Sequence, residues 1–220
     1  DRRLSCSATI EGDLVIDVPQ DTIINAQVVR KDADTRVIER DPAVRMCYVE
    51  VEEPDMEKPL GDLDRLIVAL ERDWSLTGLT VDPWLLPQIQ SILRKGEWKV
   101  TAAIYRDRVE AQPRLIAVYP GLKNEAYGIA CDIGSTTIAM HLSSLLSGRT
   151  LASSGTSNPQ IRFGEDLMSR VSYVMMNPEG REAMTRAVRE AINGLIGKVC
   201  EQGEIDRQDI LDSVFVGNPI

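Results

Sequence analysis

Tyr127-Gly128-Ile129-Ala130-Cys131-Asp132-Ile133-Gly134-Ser135-Thr136-Thr137 is the stretch on which the reading of this chain turns. Tyr127 to Asp132 is an apolar run of strand length, and Thr136 to Ser143 is a second one. The tight Ile133-Gly134-Ser135 turn lies between them. A strand-to-strand context differs from the strand-to-helix context of a Walker loop. Such a turn has the chemistry to hold a phosphate. Gly134 removes a Cβ and lets backbone approach closely. Successive N–H groups in a tight turn form an anion-binding concavity. Ser135, Thr136 and Thr137 add hydroxyl donors, and Asp132 at the strand end is placed to orient water on a Mg²⁺. The same six residues from Asp132 to Thr137 also suit an ordinary hairpin with a glycine turn.

Working outward, Ser147-Gly148 makes the next turn and Thr150 to Ser154 a third strand. Gly164-Glu165 opens a helix to Met176, with Leu167, Val171, Val174 and Met175 on one face and Asn177-Pro178 ending it. A longer helix follows to Gly203, with Met184, Ala187, Val188, Ala191, Ile192, Leu195, Ile196 and Val199 inward. Val214-Phe215-Val216 reads as a buried strand running into Gly217-Asn218. The expected unit is a meander, two helices and a returning strand.

Pro120-Gly121 separates this from a different texture upstream. Met46 to Val51 is a strand, and the acidic Glu52 to Pro59 a loop. Leu60, Leu63, Ile67 and Leu70 mark one helical face. Asp82-Pro83 suits a helix start, but Pro87 delays the regular helix to Leu86 through Lys95, closed by Gly96. Trp98 to Tyr105 and Arg114 to Tyr119 complete a small α+β module. Trp74, Trp84 and Trp98 are expected in its core. Further upstream, Leu14 to Pro19 is a short strand and Gln20 to Asp41 an extended linker.

The formal charge of -9 over 220 residues argues against nucleic acid and anionic membranes as partners. Lys and Arg are interleaved with Asp and Glu, so no basic patch offsets that field. Cys6, Cys47, Cys131 and Cys200 are too widely spaced for a disulfide framework or a zinc site. Reduced thiols in a cytoplasmic protein are the natural reading. His141 is the single histidine, which argues against histidine-based catalysis; it and Cys131 are read as packing residues. No apolar run approaches the ~20 residues of a membrane span, and no signal peptide is visible. The chain starts at Asp1 and stops just after an apolar run, so a piece of a longer protein is expected.

The turn resembles the first phosphate motif of the superfamily uniting acetate and sugar kinases, heat-shock chaperone ATPases and actin (the ASKHA superfamily). More narrowly, Asn158-Pro159-Gln160 through Phe163-Gly164-Glu165-Asp166, then Arg170, Tyr173 and Val216-Gly217-Asn218, resemble the reductive activators of corrinoid proteins. That resemblance is most specific over the last ~95 residues. It implies an α/β fold: an α+β middle module, then the first part of an actin-like, RNase H-like ATPase lobe. It also implies a domain plan. Residues 1–19 are the remnant of a [2Fe–2S] ferredoxin domain, 20–41 a linker, 42–121 the middle domain and 122–220 the N-terminal part of the ATPase domain.

By the same resemblance, ATP with Mg²⁺ is held by Asp132, Gly134, Ser135, Thr136, Thr137, Gly217 and Asn218. Cys6 is a cluster ligand, but a cluster of this type needs four thiolates and the other three would lie upstream. The implied activity is ATP-assisted reduction of a Co(II) corrinoid to methyl-accepting Co(I). The implied partners are a corrinoid protein or methyltransferase and an electron donor, and a homodimer is compatible. Two departures stand out. Ser135 replaces the commoner Thr but keeps the hydroxyl. Pro219 replaces the Thr that usually follows Gly-Asn, which puts a side-chain role there in doubt. Two rival readings remain: a small-molecule kinase on the same fold, and a docking module in which the turn is only structural.

Overall fold

The computed structural model describes residue 12, residues 41–106 and residues 112–218. Cys6, the Leu14–Pro19 strand and nearly all of the 20–41 linker lie outside the described residues.

The first unit follows from alternation in its strands. β1 (Val44–Glu50), β2 (Thr80–Val81), β3 (Lys99–Tyr105) and β4 (Arg114–Pro120) form a sheet in the order β1-β3-β4-β2. β1 and β4 run antiparallel to β3, and β2 runs parallel to β4. Cys47, Val49, Val100, Ala102, Ile104, Leu115 and Val118 share a closed core with Leu66, Leu70, Ile89 and Leu93. Those four come from α1 (Asp62–Trp74) and α2 (Ile89–Lys95). Asp62 and Asp64 in the first turn of α1 favour its positive end. Leu60, expected on its buried face, is exposed, because it precedes the helix and its carbonyl is held by Arg65. Arg65 is itself buried and also donates to Glu53 O and Lys58 O, anchoring the acidic loop.

Asp82 caps a short 3-10 turn, Pro83–Leu85, rather than a regular helix; its carboxylate accepts from Trp84 N at 3.2 Å. That turn points Trp84 outward, 79% exposed, against the expectation of a core tryptophan. Trp74 and Trp98 do pack on the core, and the Trp74 indole donates to Tyr48 O at 2.9 Å.

The second unit has the expected order. β5 (Tyr127–Ile133), β6 (Thr137–Ser144) and β7 (Thr150–Ser157) are an antiparallel meander. α3 (Leu167–Met176) and α4 (Gly180–Gly203) then lead to β8 (Ile210–Gly217), which pairs parallel to β5. The sheet order is β7-β6-β5-β8. α4 lies over β6 and β7. Its buried Leu195, Ile196, Val199 and Cys200 meet Cys131, Ile138, Met140, Leu142 and Ala152. Burying a side chain such as Leu195 contributes about 2 kcal/mol.

Two expectations of burial fail here. Val214, Phe215 and Val216 are 55%, 50% and 61% exposed. β8 is an edge strand, and α4 packs over β6 and β7, at the other end of the strand order. On α3, Val171 and Met175 are exposed, and the buried residue is Arg170.

Candidate functional site

β5 and β6 are joined by a loop with Ile133 opposite Ile138. No helix starts at Ser135, so the loop is not of Walker type. Gly134 N donates to Thr137 O at 2.9 Å. A Cβ on Gly134 would stand 2.8 Å from that same oxygen, so only glycine permits this closure. Asp132, Ser135 and Thr136 are exposed, and Gly134 and Thr137 are half-buried.

Topology brings the second expected segment to the same place. In the parallel register of β5 and β8, Asp132 is opposite Val216 and Ile133 opposite Gly217. Gly217 and the adjoining Asn218 therefore stand beside the start of the turn, at the carboxyl ends of two parallel strands. That is where open α/β sheets bind ligands. All seven residues expected around ATP and Mg²⁺ thus share one end of the second sheet. Hydroxyls, backbone amides and one carboxylate are a donor set suited to a phosphate with its hydrated cation.

The loop is held from behind by two residues to which sequence reasoning gave no role. Asn158 follows β7 and caps the 3-10 turn Pro159–Phe163 by accepting from Gln160 N at 2.9 Å. Its Nδ2 donates to Gly134 O at 2.8 Å, and its backbone N donates to Thr136 O at 2.8 Å. Arg170, in the first turn of α3, donates from Nη2 to Ser135 O at 2.6 Å and from Nε to Gly164 O at 2.9 Å. Both side chains are buried, Asn158 to 2% and Arg170 to 6% exposure. Gly164 makes the approach of α3 possible: a Cβ there would lie 2.7 Å from Arg170 N. Asp166 caps α3 by accepting from Ser169 N at 2.7 Å, which holds its carboxyl below the usual range. The Phe163 and Tyr173 rings meet at 5.1 Å and fix the rotation of the helix. The Asn-Pro pair was a legible cap signal. An arginine on the inward face of a helix carried no such signal.

The remaining thiols do not form a metal centre. Cys47, Cys131 and Cys200 are buried on β1, β5 and α4, and burial pushes each thiol up, Cys47 to about 11. Among the described residues no group of His, Cys, Asp and Glu fits a metal ion. His141, read as a packing residue, is half-buried and shares a 2.8 Å hydrogen bond from Nδ1 to Ser153 Oγ. Among the described residues no helix is long and apolar enough to cross a membrane.

Comparison with known proteins identifies the family of the two units. A family model described as the RACo linker region matches residues 33–125, and one described as the RACo middle region matches residues 127–220. The corrinoid activation enzyme RamQ of Eubacterium limosum is 36% identical over 107 residues, 48% of this chain and 18% of RamQ. The solved structure of a reductive activator for a corrinoid, iron-sulfur protein superposes with a TM-score of 0.68 at 31% identity, over 83% of this chain and 29% of that one. This chain therefore matches less than a third of the length of either relative. Two family models that between them account for nearly all the described residues, and a superposition running through both units, place the chain among the reductive activators of corrinoid proteins, as their linker and middle regions.

Proposed function

We propose that the intact protein is an ATP-dependent iron–sulfur protein that returns Co(II) corrinoid proteins to Co(I) for methyl transfer. This chain supplies the first phosphate turn of its ATPase lobe. The observation that carries the reading is the convergence of the Asp132–Thr137 turn with Gly217-Asn218 at one sheet end. The names of the two relatives, an activation enzyme and a reductive activator, support the corrinoid partner. In this reading residues 122–220 open the ATPase lobe. Residues 42–121 space it from a ferredoxin domain whose closing segment is 1–19, and Cys6 is one cluster ligand. An electron donor, a cytoplasmic location and a homodimeric assembly belong to the same proposal.

The roles of the residues follow from what each presents. Amides and hydroxyls of Ser135 to Thr137 bind phosphate oxygens, Asp132 orients water on the cation, and Gly217 leaves room beside them. ATP supplies the free energy that assists an otherwise unfavourable electron transfer. The direct experiment is calorimetry of MgATP with the intact protein and with Gly134→Val. A branched side chain collides with Thr137 O and opens the turn. Affinity is expected to fall at least about tenfold, the equivalent of one lost charge-assisted hydrogen bond. Equal binding by Gly134→Val would make the turn a plain hairpin. The 220-residue chain alone should carry no cluster, because the other cysteines, Cys47, Cys131 and Cys200, are buried on three separate elements and do not come together as thiolate ligands. Stoichiometric iron and sulfide in it would contradict that.

A further inference from the structure

Four consecutive carbonyls of the turn are each engaged. Gly134 O accepts from Asn158 Nδ2, Ser135 O from Arg170 Nη2, Thr136 O from Asn158 N and Thr137 O from Gly134 N. In a planar trans peptide the N–H points opposite to the C=O. Anchoring the carbonyls of residues 134, 135 and 136 therefore turns the amides of Ser135, Thr136 and Thr137 away from Asn158 and Arg170. Left to itself, a loop containing glycine can flip a peptide at little cost and present a carbonyl oxygen instead. We infer that Asn158 and Arg170 are positioning residues, which hold the three amides toward a bound phosphate and keep the carbonyls out of its reach.

The two residues come from separate elements, 24 and 35 residues along the chain from the carbonyls they hold. Both have been taken out of water to do so. Burying a guanidinium is costly unless its donors are used, and here two of them end on backbone carbonyls of Gly164 and Ser135. Its positive charge sits against the carbonyl side of the turn, where it offsets the negative ends of the peptide dipoles. The neutral Asn158 does a complementary job: its Oδ1 caps the following turn while its Nδ2 faces Gly134.

This inference rests on the phosphate-binding reading above, and the experiment separates the two. The intact protein is compared with Asn158→Asp and Arg170→Lys. The Asn158→Asp carboxylate has the same shape and keeps the acceptor for Gln160 N, but it loses the donor to Gly134 O. Arg170→Lys keeps the charge and loses the fork. Binding of MgATP and of adenosine, the latter by competition, is measured for each, together with thermal stability. Both variants are expected to bind MgATP about tenfold or more weakly with adenosine affinity nearly unchanged, since adenosine has no phosphate.

Variants that bind MgATP as the parent does, or that lose both ligands equally, overturn the positioning role and leave the phosphate reading standing. A parent that does not bind MgATP overturns both. Should either variant fail to fold, the parent itself decides. With ¹⁵N-labelled serine and threonine, the amide signals of Ser135, Thr136 and Thr137 are expected to move downfield with MgATP and not with adenosine. Signals indifferent to MgATP overturn the inference.

Discussion

The two units of this protein use the same kinds of apolar strand and bury them to different extents. In the first, β3 is flanked on both sides and two helices close over Cys47, Val49, Val100, Ala102 and Ile104. In the second, α4 covers β6 and β7, while β8 keeps Val214, Phe215 and Val216 at half exposure or more. The difference teaches that an apolar run reports a strand but not its depth. Depth is set by which sheet position the strand occupies and by what packs on it. The first unit closes two helices over its sheet, whereas the second has its edge strand β8 beside the candidate site residues.

The contrast is easiest to break in the cores. Leu66 is fully buried in the first unit, so Leu66→Ala is expected to destabilise it by about 2–5 kcal/mol in denaturant titration. Phe215→Ser, at an edge position of the second unit, should change stability by only about 0.5 kcal/mol. Comparable losses for the two would mean that β8 is covered after all.

The joint between the units gives a second test. Tyr119 Oη donates to Gln208 O at 3.3 Å, and Lys123 lies 4.3 Å from the Tyr119 ring centroid while pairing with Asp209. Burial, with Asp209 and Asp206 nearby, pushes the Tyr119 phenol up to about 12. The folded state thus keeps a proton that the unfolded chain releases near pH 10. Stability should therefore fall as pH rises from about 10 to about 12. Tyr119→Phe should flatten that slope; an unchanged slope would place the alkaline sensitivity elsewhere.

A smaller effect is expected on the outer face of α4. Gly194 sits inside this helix, and a Cβ there meets nothing within 4 Å. Gly194→Ala should stabilise the second unit by up to about 1 kcal/mol, read as a higher unfolding midpoint. Destabilisation would show that this face of α4 is packed against something.

Much of the turn and of the core behind it was legible because the signals are local. Gly134 within an apolar strand pair announced a close turn, and the helical spacing of Ala187, Leu195 and Val199 announced the inner face of α4. The misreadings share another cause. The apolar residues of α3 looked like a core stripe, yet the helix is oriented by Arg170 on two carbonyls and by Tyr173 on Phe163. A specific polar anchor outweighed hydrophobic spacing. Trp84 was expected inside on size alone, but a proline at the first position of a capped 3-10 turn directs it to solvent.

Taken by itself, the amino-acid sequence determined the order of the main strands and helices of both units, β2 and the 3-10 turns excepted, the strand–turn–strand nature of the Asp132–Thr137 segment and the family resemblance. Those properties reside in short spacings and in residue chemistry that any conformation of the chain retains. Only the tertiary structure decided that Gly217-Asn218 stands beside that turn, because a parallel β5–β8 pairing joins segments far apart along the chain. It alone decided which strand stayed exposed, since coverage depends on where α4 crosses the sheet. And it alone brought Asn158 and Arg170 to the carbonyls of the turn: a hydrogen bond between distant residues exists only once the chain between them has folded, and the motifs that contain these residues name no partner for either.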